Sequence, residues 1–133
     1  MHPNRSSEKN RQWSNFFEEN PVTRDWNLKR KNYQGVFMTG TTIASSTISK
    51  SNFHNGEIHN SHLRACKIRE CCFDDTLFAG TTFEQISFLK GTAFRARFKD
   101  SEFKQVISRG TDLSESKALG TKIYLSRFFS CCF

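Results

Sequence analysis

The sequence lacks most of what would mark a catalytic, membrane-spanning or secreted chain. It has only two prolines and two tryptophans in 133 residues. No stretch approaches the ~20 apolar residues of a transmembrane helix. The N-terminus has no apolar signal-peptide core, which implies a cytoplasmic protein and leaves only a Sec-independent route for export. There is no phosphate loop, and no Ser/His/Asp set falls on one face. Hydrophobic content is 36%, low for a conventional globular core. Both signs of charge are interspersed, with 20 Lys/Arg against 13 Asp/Glu and a net charge of +7. Neither residues 1–33 nor 34–133 carry a dense charge run. A basic balance suits nucleic acid or anionic lipid, but mixed signs favour a plain solvated surface.

The 5 cysteines are Cys66, Cys71, Cys72, Cys131 and Cys132. An odd count without a secretory signal reads as reduced thiols. The C-x4-C-C stretch does not supply the four convergent ligands that zinc requires.

What the chain does have is a five-residue period. From Met38 every fifth residue to Phe133 is apolar, apart from Ser108. Nine of the 14 phenylalanines lie in this series. A second series, two residues earlier, is nearly all small: Thr41, Ser46, Ser51, Gly56, Ser61, Cys66, Cys71 and onward to Cys131. A period of five is neither that of a helix nor that of a strand. It marks a repeat fold.

Segments such as S51-N-F-H-N, S101-E-F-K-Q and T111-D-L-S-E resemble the pentapeptide-repeat family. The resemblance covers about three quarters of the chain. It implies an all-β, right-handed quadrilateral β-helix of about five coils, with one pentapeptide per face and twenty residues per coil. The expected division is a polar N-terminal tail and capping segment over 1–33 and a β-helix over 34–133. The expected core columns include Phe53/Phe73/Ala93/Leu113/Phe133 and Ile43/Leu63/Phe83/Phe103/Ile123.

The twenty-residue coil can be checked within the sequence. Stacked strands sit roughly 4.7–4.9 Å apart, so residues twenty apart become neighbours and opposite charges are favoured there. Between 36 and 133, seven charged pairs at this spacing have opposite signs and one has like signs. The seven include Lys50/Glu70, Arg64/Glu84, Arg95/Glu115 and Glu102/Lys122.

Further expectations follow. Residues 1–12 are polar and expected to be disordered. Trp13–Glu19 is expected to form a short helical segment with Ser14 as N-cap and with Phe16 and Phe17 packing onto the first coil, ended by Asn20-Pro21. Residues 22–35 are read as transitional, with Trp26, Leu28 and Tyr33 covering the open end of the solenoid. Corner residues are expected two places after each large one, as at Gly40, Asn55, Asn60, Asp75, Gly80 and Asp100. Ile86 and Val106 are oversized for the small slot. Ser108 is read as giving up volume to Val106, with a bulge on that face.

No catalytic residue, cofactor or metal site is expected. His54, His59 and His62 project outward without a third ligand or a pocket, with His54 placed beneath Asp74. The outward hydrophobics Leu77, Leu89, Phe94 and Ile107 precede a denser set. That set, Leu119, Tyr124, Leu125, Phe129 and Phe133, is the candidate interaction surface. Phe133 falls on a core position with no coil after it. A chain cut from a longer one, a fold-back, or a two-fold end-to-end dimer would each cover it, and the register holding through Phe133 disfavours the fold-back.

The function expected is a non-enzymatic protein-interaction module with a protein partner, and a homodimer through the C-terminal end. Direct nucleic-acid binding and a membrane span are not expected. Two alternatives stand beside it. D112-L-S-E-S-K-A-L-G-T-K-I123 and F53-H-N-G-E-I-H-N-S resemble segments of the quinolone-resistance pentapeptide proteins, which implies binding to DNA gyrase. The positive charge, the missing acidic column and the missing C-terminal dimer helix separate this chain from them. The polar, Ser/Asn-rich start is similar to that of bacterial effectors delivered to host cells.

Overall fold

A computed structural model describes residues 10–131 and 133. It is a parallel β-solenoid entered through one short helix. Helix α1 spans Arg11–Glu19. The first coil carries β1 (Val22–Arg24) and β2 (Asn27–Lys29), and the second β3 (Phe37–Thr39), β4 (Thr42–Ala44) and β5 (Thr47–Ser49). The third carries β6 (Glu57–His59), β7 (His62–Arg64) and β8 (Lys67–Cys72). The fourth carries β9 (Leu77–Ala79), β10 (Thr82–Glu84) and β11 (Ser87–Thr92). The fifth carries β12 (Arg97–Lys99), β13 (Glu102–Lys104) and β14 (Ile107–Asp112), and the last β15 (Lys122–Tyr124) and β16 (Arg127–Phe129).

Strands stack in sequence order into three ladders: β1-β4-β7-β10-β13-β15, β2-β5-β8-β11-β14-β16 and β3-β6-β9-β12. Every pairing joins residues twenty apart, as in Ile43↔Leu63, Leu63↔Phe83 and Phe83↔Phe103. The fourth side is thinner. It begins with the bridges Asn32↔Asn52↔Cys72 and continues as Cys72↔Thr92↔Asp112 in the long strands.

The corners explain the period. Every fifth residue from Asp25 to Ser130 has a left-handed backbone, with φ between 50° and 72°. The corner glycines, asparagines and aspartates adopt it readily, but Arg30, Gln85 and Leu125 do so at about 1–2 kcal/mol each. Burial of the residue two places before each corner offsets that cost. From Thr23 to Leu113 these residues are buried, apart from the half-buried Phe88. Stacked coils place like on like. Tyr33, Phe53 and Phe73 form a near-parallel stack, with ring centroids 4.6 and 4.8 Å apart. Phe78 and Phe98 stack at 5.1 Å.

The small series is polar for a reason. Buried hydroxyls favour partners, and here most of them bridge two coils, although Thr41 Oγ1 finds none. Ser46 Oγ accepts from the Trp26 N–H and donates to the Ala44 carbonyl. Ser61 does the same between Thr41 and His59. Thr76 and Thr81 donate to the carbonyls of Phe53 and Ile58. The Cys66 and Cys71 thiols point at the Ile43 and Ile48 carbonyls. Burial pushes both thiols upward, Cys71 to about 11.

Several expectations need correction. The ladder begins at Val22, ahead of the boundary expected at 34. Leu28 and Tyr33 are core residues of a first full coil, paired through Leu28↔Ile48 and stacked on Phe53. The cap is α1, whose Phe17 is 1% exposed and whose Trp13 and Phe16 pack on Tyr33 and Trp26. The helix is capped by Asn10, whose side chain accepts from the Trp13 N–H, and not by Ser14. Ser14 is buried inside the helix, and its Oγ accepts from the Phe37 N–H. Residues 10–12 are therefore ordered, while 1–9 lie outside the described residues. No bulge forms at Ile86 and Val106. The register runs unbroken through Lys67, Ser87, Ile107 and Arg127. Both side chains are buried, and Ser108 and Ala93 leave a cavity of about 30 Å³ among the phenylalanines.

Gly91 departs from the corner pattern with φ at 116°, and a Cβ there would come within 2.6 Å of the Cys71 carbonyl oxygen. Gly91→Ala is therefore expected to destabilise more than Gly40→Ala, which meets nothing within 4 Å and bears only the left-handed cost of about 1–2 kcal/mol. Urea titration of both variants checks the order. Phe83→Ala should cost about 3–5 kcal/mol. An unchanged melting temperature would contradict the burial of Phe83 at 0% exposure. Native alkylation should spare Cys66 and Cys71, whose burial disfavours the thiolate, and denaturant should make both react.

Candidate interaction surface

The two ends of the solenoid are unlike. At the first coil, α1 lays Trp13, Phe16 and Phe17 across the core. At the last coil none of the described residues covers the equivalent positions. Leu113 is still buried, but Ala118 is exposed, Ile123 is 52% exposed, and Phe133 is 77% exposed. Phe128 is half-buried and meets the Phe133 ring at 5.7 Å. Four core columns thus end in open apolar side chains.

The rim adds to them. Leu119 and Leu125 sit at 75% and 83% exposure, and Tyr124 and Phe129 are exposed on β15 and β16. These two strands close their ladders, β15 on β13 and β16 on β14. Their outer edges present unpaired N–H and C=O groups beside the apolar end, a combination that invites strand addition. Arg109 covers one face of the Phe129 ring at 4.3 Å. The structure therefore gathers Leu119, Tyr124, Leu125, Phe129 and Phe133 at one end. It adds Ile123 and Ala118, which the sequence pattern assigns to the core and which lose burial only because the stack stops. Leu77, Leu89 and Phe94 are half-buried and lie elsewhere on the outer wall, as does the exposed Ile107.

The histidines form carboxylate pairs on the outer wall. His54 Nε2 lies 3.2 Å from Asp75 Oδ2, not against Asp74, whose Oδ1 accepts from the Phe94 N–H. His59 meets Glu57 at 3.2 Å and His62 meets Glu84 at 3.1 Å. Among the described residues no cluster of three metal-ligating side chains occurs. The cavity of about 30 Å³ has apolar walls apart from Ser108 and Thr111, whose hydroxyls bond each other at 3.0 Å. That is far below the ~150 Å³ that accommodates benzene.

The charge ladders are mostly not ion pairs. Of the seven opposite-sign pairs, Arg95/Glu115 closes, at 3.3 Å. Glu84 turns to His62, Glu102 to Lys104, and Glu70 to Arg69. Exposed pairs are worth ~0–1 kcal/mol, too little to hold long side chains in one geometry.

No family model and no curated protein matches the chain. Solved structures do. A pentapeptide-repeat protein, Rfr23 from the cyanobacterium Cyanothece 51142, aligns at a TM-score of 0.69 and 10% identity, over 92% of this chain and 99% of that one. HetL, a pentapeptide-repeat protein involved in heterocyst differentiation regulation in Nostoc sp. strain PCC 7120, aligns at 0.66 and 11% identity. The match spans 70% of this chain and 39% of HetL. QnrB1, a plasmid-mediated fluoroquinolone resistance protein, aligns at a TM-score of 0.33 and 12% identity, over 83% of this chain and 70% of that one. The five-residue core period, the left-handed corners, the twenty-residue ladders and the first two likenesses agree: this chain folds as a pentapeptide-repeat β-helix.

Proposed function

We propose that the protein is a non-enzymatic interaction module that binds protein through its C-terminal end, and that a second copy of the chain is one such partner. The carrying observation is the open last coil, where Ile123, Leu125 and Phe133 are exposed beside the free edges of β15 and β16. A second copy fits this surface because it offers the same two features in the same relation. A two-fold axis perpendicular to the solenoid sets apolar end against apolar end, and such an isologous contact closes at the dimer. The polar-lined hollow among Asn10, Gln12, Asn32 and Gln34 carries no acid, base or nucleophile in its lining, which supports the non-enzymatic half of the reading.

Sedimentation equilibrium of the full chain tests it. The expected result is a dimer at micromolar concentration that becomes a monomer on Leu125→Asp with Phe129→Asp. Leu125 has φ of 50°, a conformation that aspartate accepts more readily than leucine, so the first substitution spares the fold. A monomer throughout the micromolar range, with the double variant unchanged, would overturn self-association.

A further inference from the structure

The four outer faces do not share charge evenly, although the linear sequence mixes the signs. The face built on β2, β5, β8, β11, β14 and β16 is basic. One of its outward columns runs Lys29, Ser49, Arg69, Leu89, Arg109, Phe129. Its other column brings Lys67 and Arg127, and its corner column brings Arg30, Lys50 and Lys90. All eight are exposed. Glu70 is the single acid, held by Arg69 at 4.0 Å. The face thus carries eight positive charges against one negative, and the difference, +7, equals the formal net charge of the whole chain. The neighbouring thin side leans the other way, with Asp74, Asp75, Asp112 and Glu115 against Lys31 and Arg95.

The arrangement is ordered. In the first column a basic residue occupies alternate coils, so like charges are separated by two strand spacings, roughly 9–10 Å. Lys29, Arg69 and Arg109 therefore avoid direct cross-strand repulsion. Between them the face offers aliphatic groups, half-buried Leu89 and exposed Ile107. The whole lies on a six-stranded parallel sheet.

We propose that this face docks on an anionic lipid surface. A plane of separated basic residues matches a plane of anionic headgroups, and each Lys or Arg near such a surface contributes about 1 kcal/mol. Leu89 and Ile107 are placed to enter the headgroup boundary. Nucleic acid suits the face less well. A single strand needs a groove that tracks its backbone and free aromatic platforms for its bases. The one exposed aromatic ring here, Phe129, is covered by Arg109. The proposal concerns the side of the solenoid, which meets the end surface at Phe129.

Cosedimentation of the full chain with phosphatidylcholine vesicles, with and without phosphatidylserine, tests it. Binding is expected only with phosphatidylserine, and it should fall steeply as salt rises, because these charges are exposed. Arg69→Glu with Arg109→Glu should weaken binding at least tenfold. Lys99→Glu with Lys117→Glu, on the opposite face, should change it less than twofold, with circular dichroism confirming that both variants are folded. Absent or phosphatidylserine-independent binding, or equal losses in the two variants, would overturn the proposal. So would binding to a duplex or single-stranded oligonucleotide at the same salt without binding to vesicles.

Discussion

The structure depends on a corner. Each fifth residue takes a left-handed backbone, and this turns the chain through one side of a square. For an ordinary side chain that conformation is unfavourable, and there are seventeen non-glycine examples, from Asp25 to Ser130. None would persist alone. Each is held because the residue two places before it is locked in the core and the backbone on either side is paired with coils above and below. Lys50 shows the link. Its N–H reaches the Arg69 carbonyl in the next coil, while Ile48 beside it is 1% exposed. Remove the stack and the corner has no support, so the fold is cooperative between neighbouring coils in the manner of other solenoids.

That dependence explains which parts of the structure were legible in the sequence. The period, the fold class and the corner series could be read directly, because each face contributes one large inward residue and one corner, and both recur in the linear order. The first coil was not legible. Thr23 takes a large-residue position, while Trp26 and Lys31 take small-residue positions, so the pattern fades although the backbone continues. The helix cap at Asn10 was missed because Ser14 satisfies the same local rule. Only the tertiary bond from Phe37 shows that Ser14 faces inward. The candidate end surface was legible in its rim residues. Ile123 and Ala118 were not, since the repeat marks them as core, and only the end of the stack exposes them.

Charge followed a different logic. Opposite signs twenty apart suggested ladders of ion pairs, yet side chains such as Glu84 and Glu102 found histidine or lysine partners nearer to hand. The spacing constrains Cα positions to one strand separation, whereas carboxylates and ammonium groups reach several ångströms in any direction. The sorting of charge by face was hidden for the converse reason. Lys29, Arg69 and Arg109 lie forty residues apart in sequence and become one column only after the coil is closed.

The same geometry separates what the ends and the sides can do. The end is a cut through the core, so whatever meets it must supply apolar volume and strand edges together, and α1 does this for the first coil with Trp13, Phe16 and Phe17. The sides have no such need. Their backbone groups are paired between coils, and their inward residues are buried whatever lies outside. Substitutions on a side face therefore alter charge at little cost in stability, while those at inward positions such as Phe83 or Ile86 disturb the stack itself. A square solenoid can thus keep one face rich in lysine and arginine and its neighbour rich in aspartate, because neither face is required to hold the coils together. The uneven distribution of charge is then free of the demands of folding, whereas the even distribution of phenylalanine is a property of how the molecule stands.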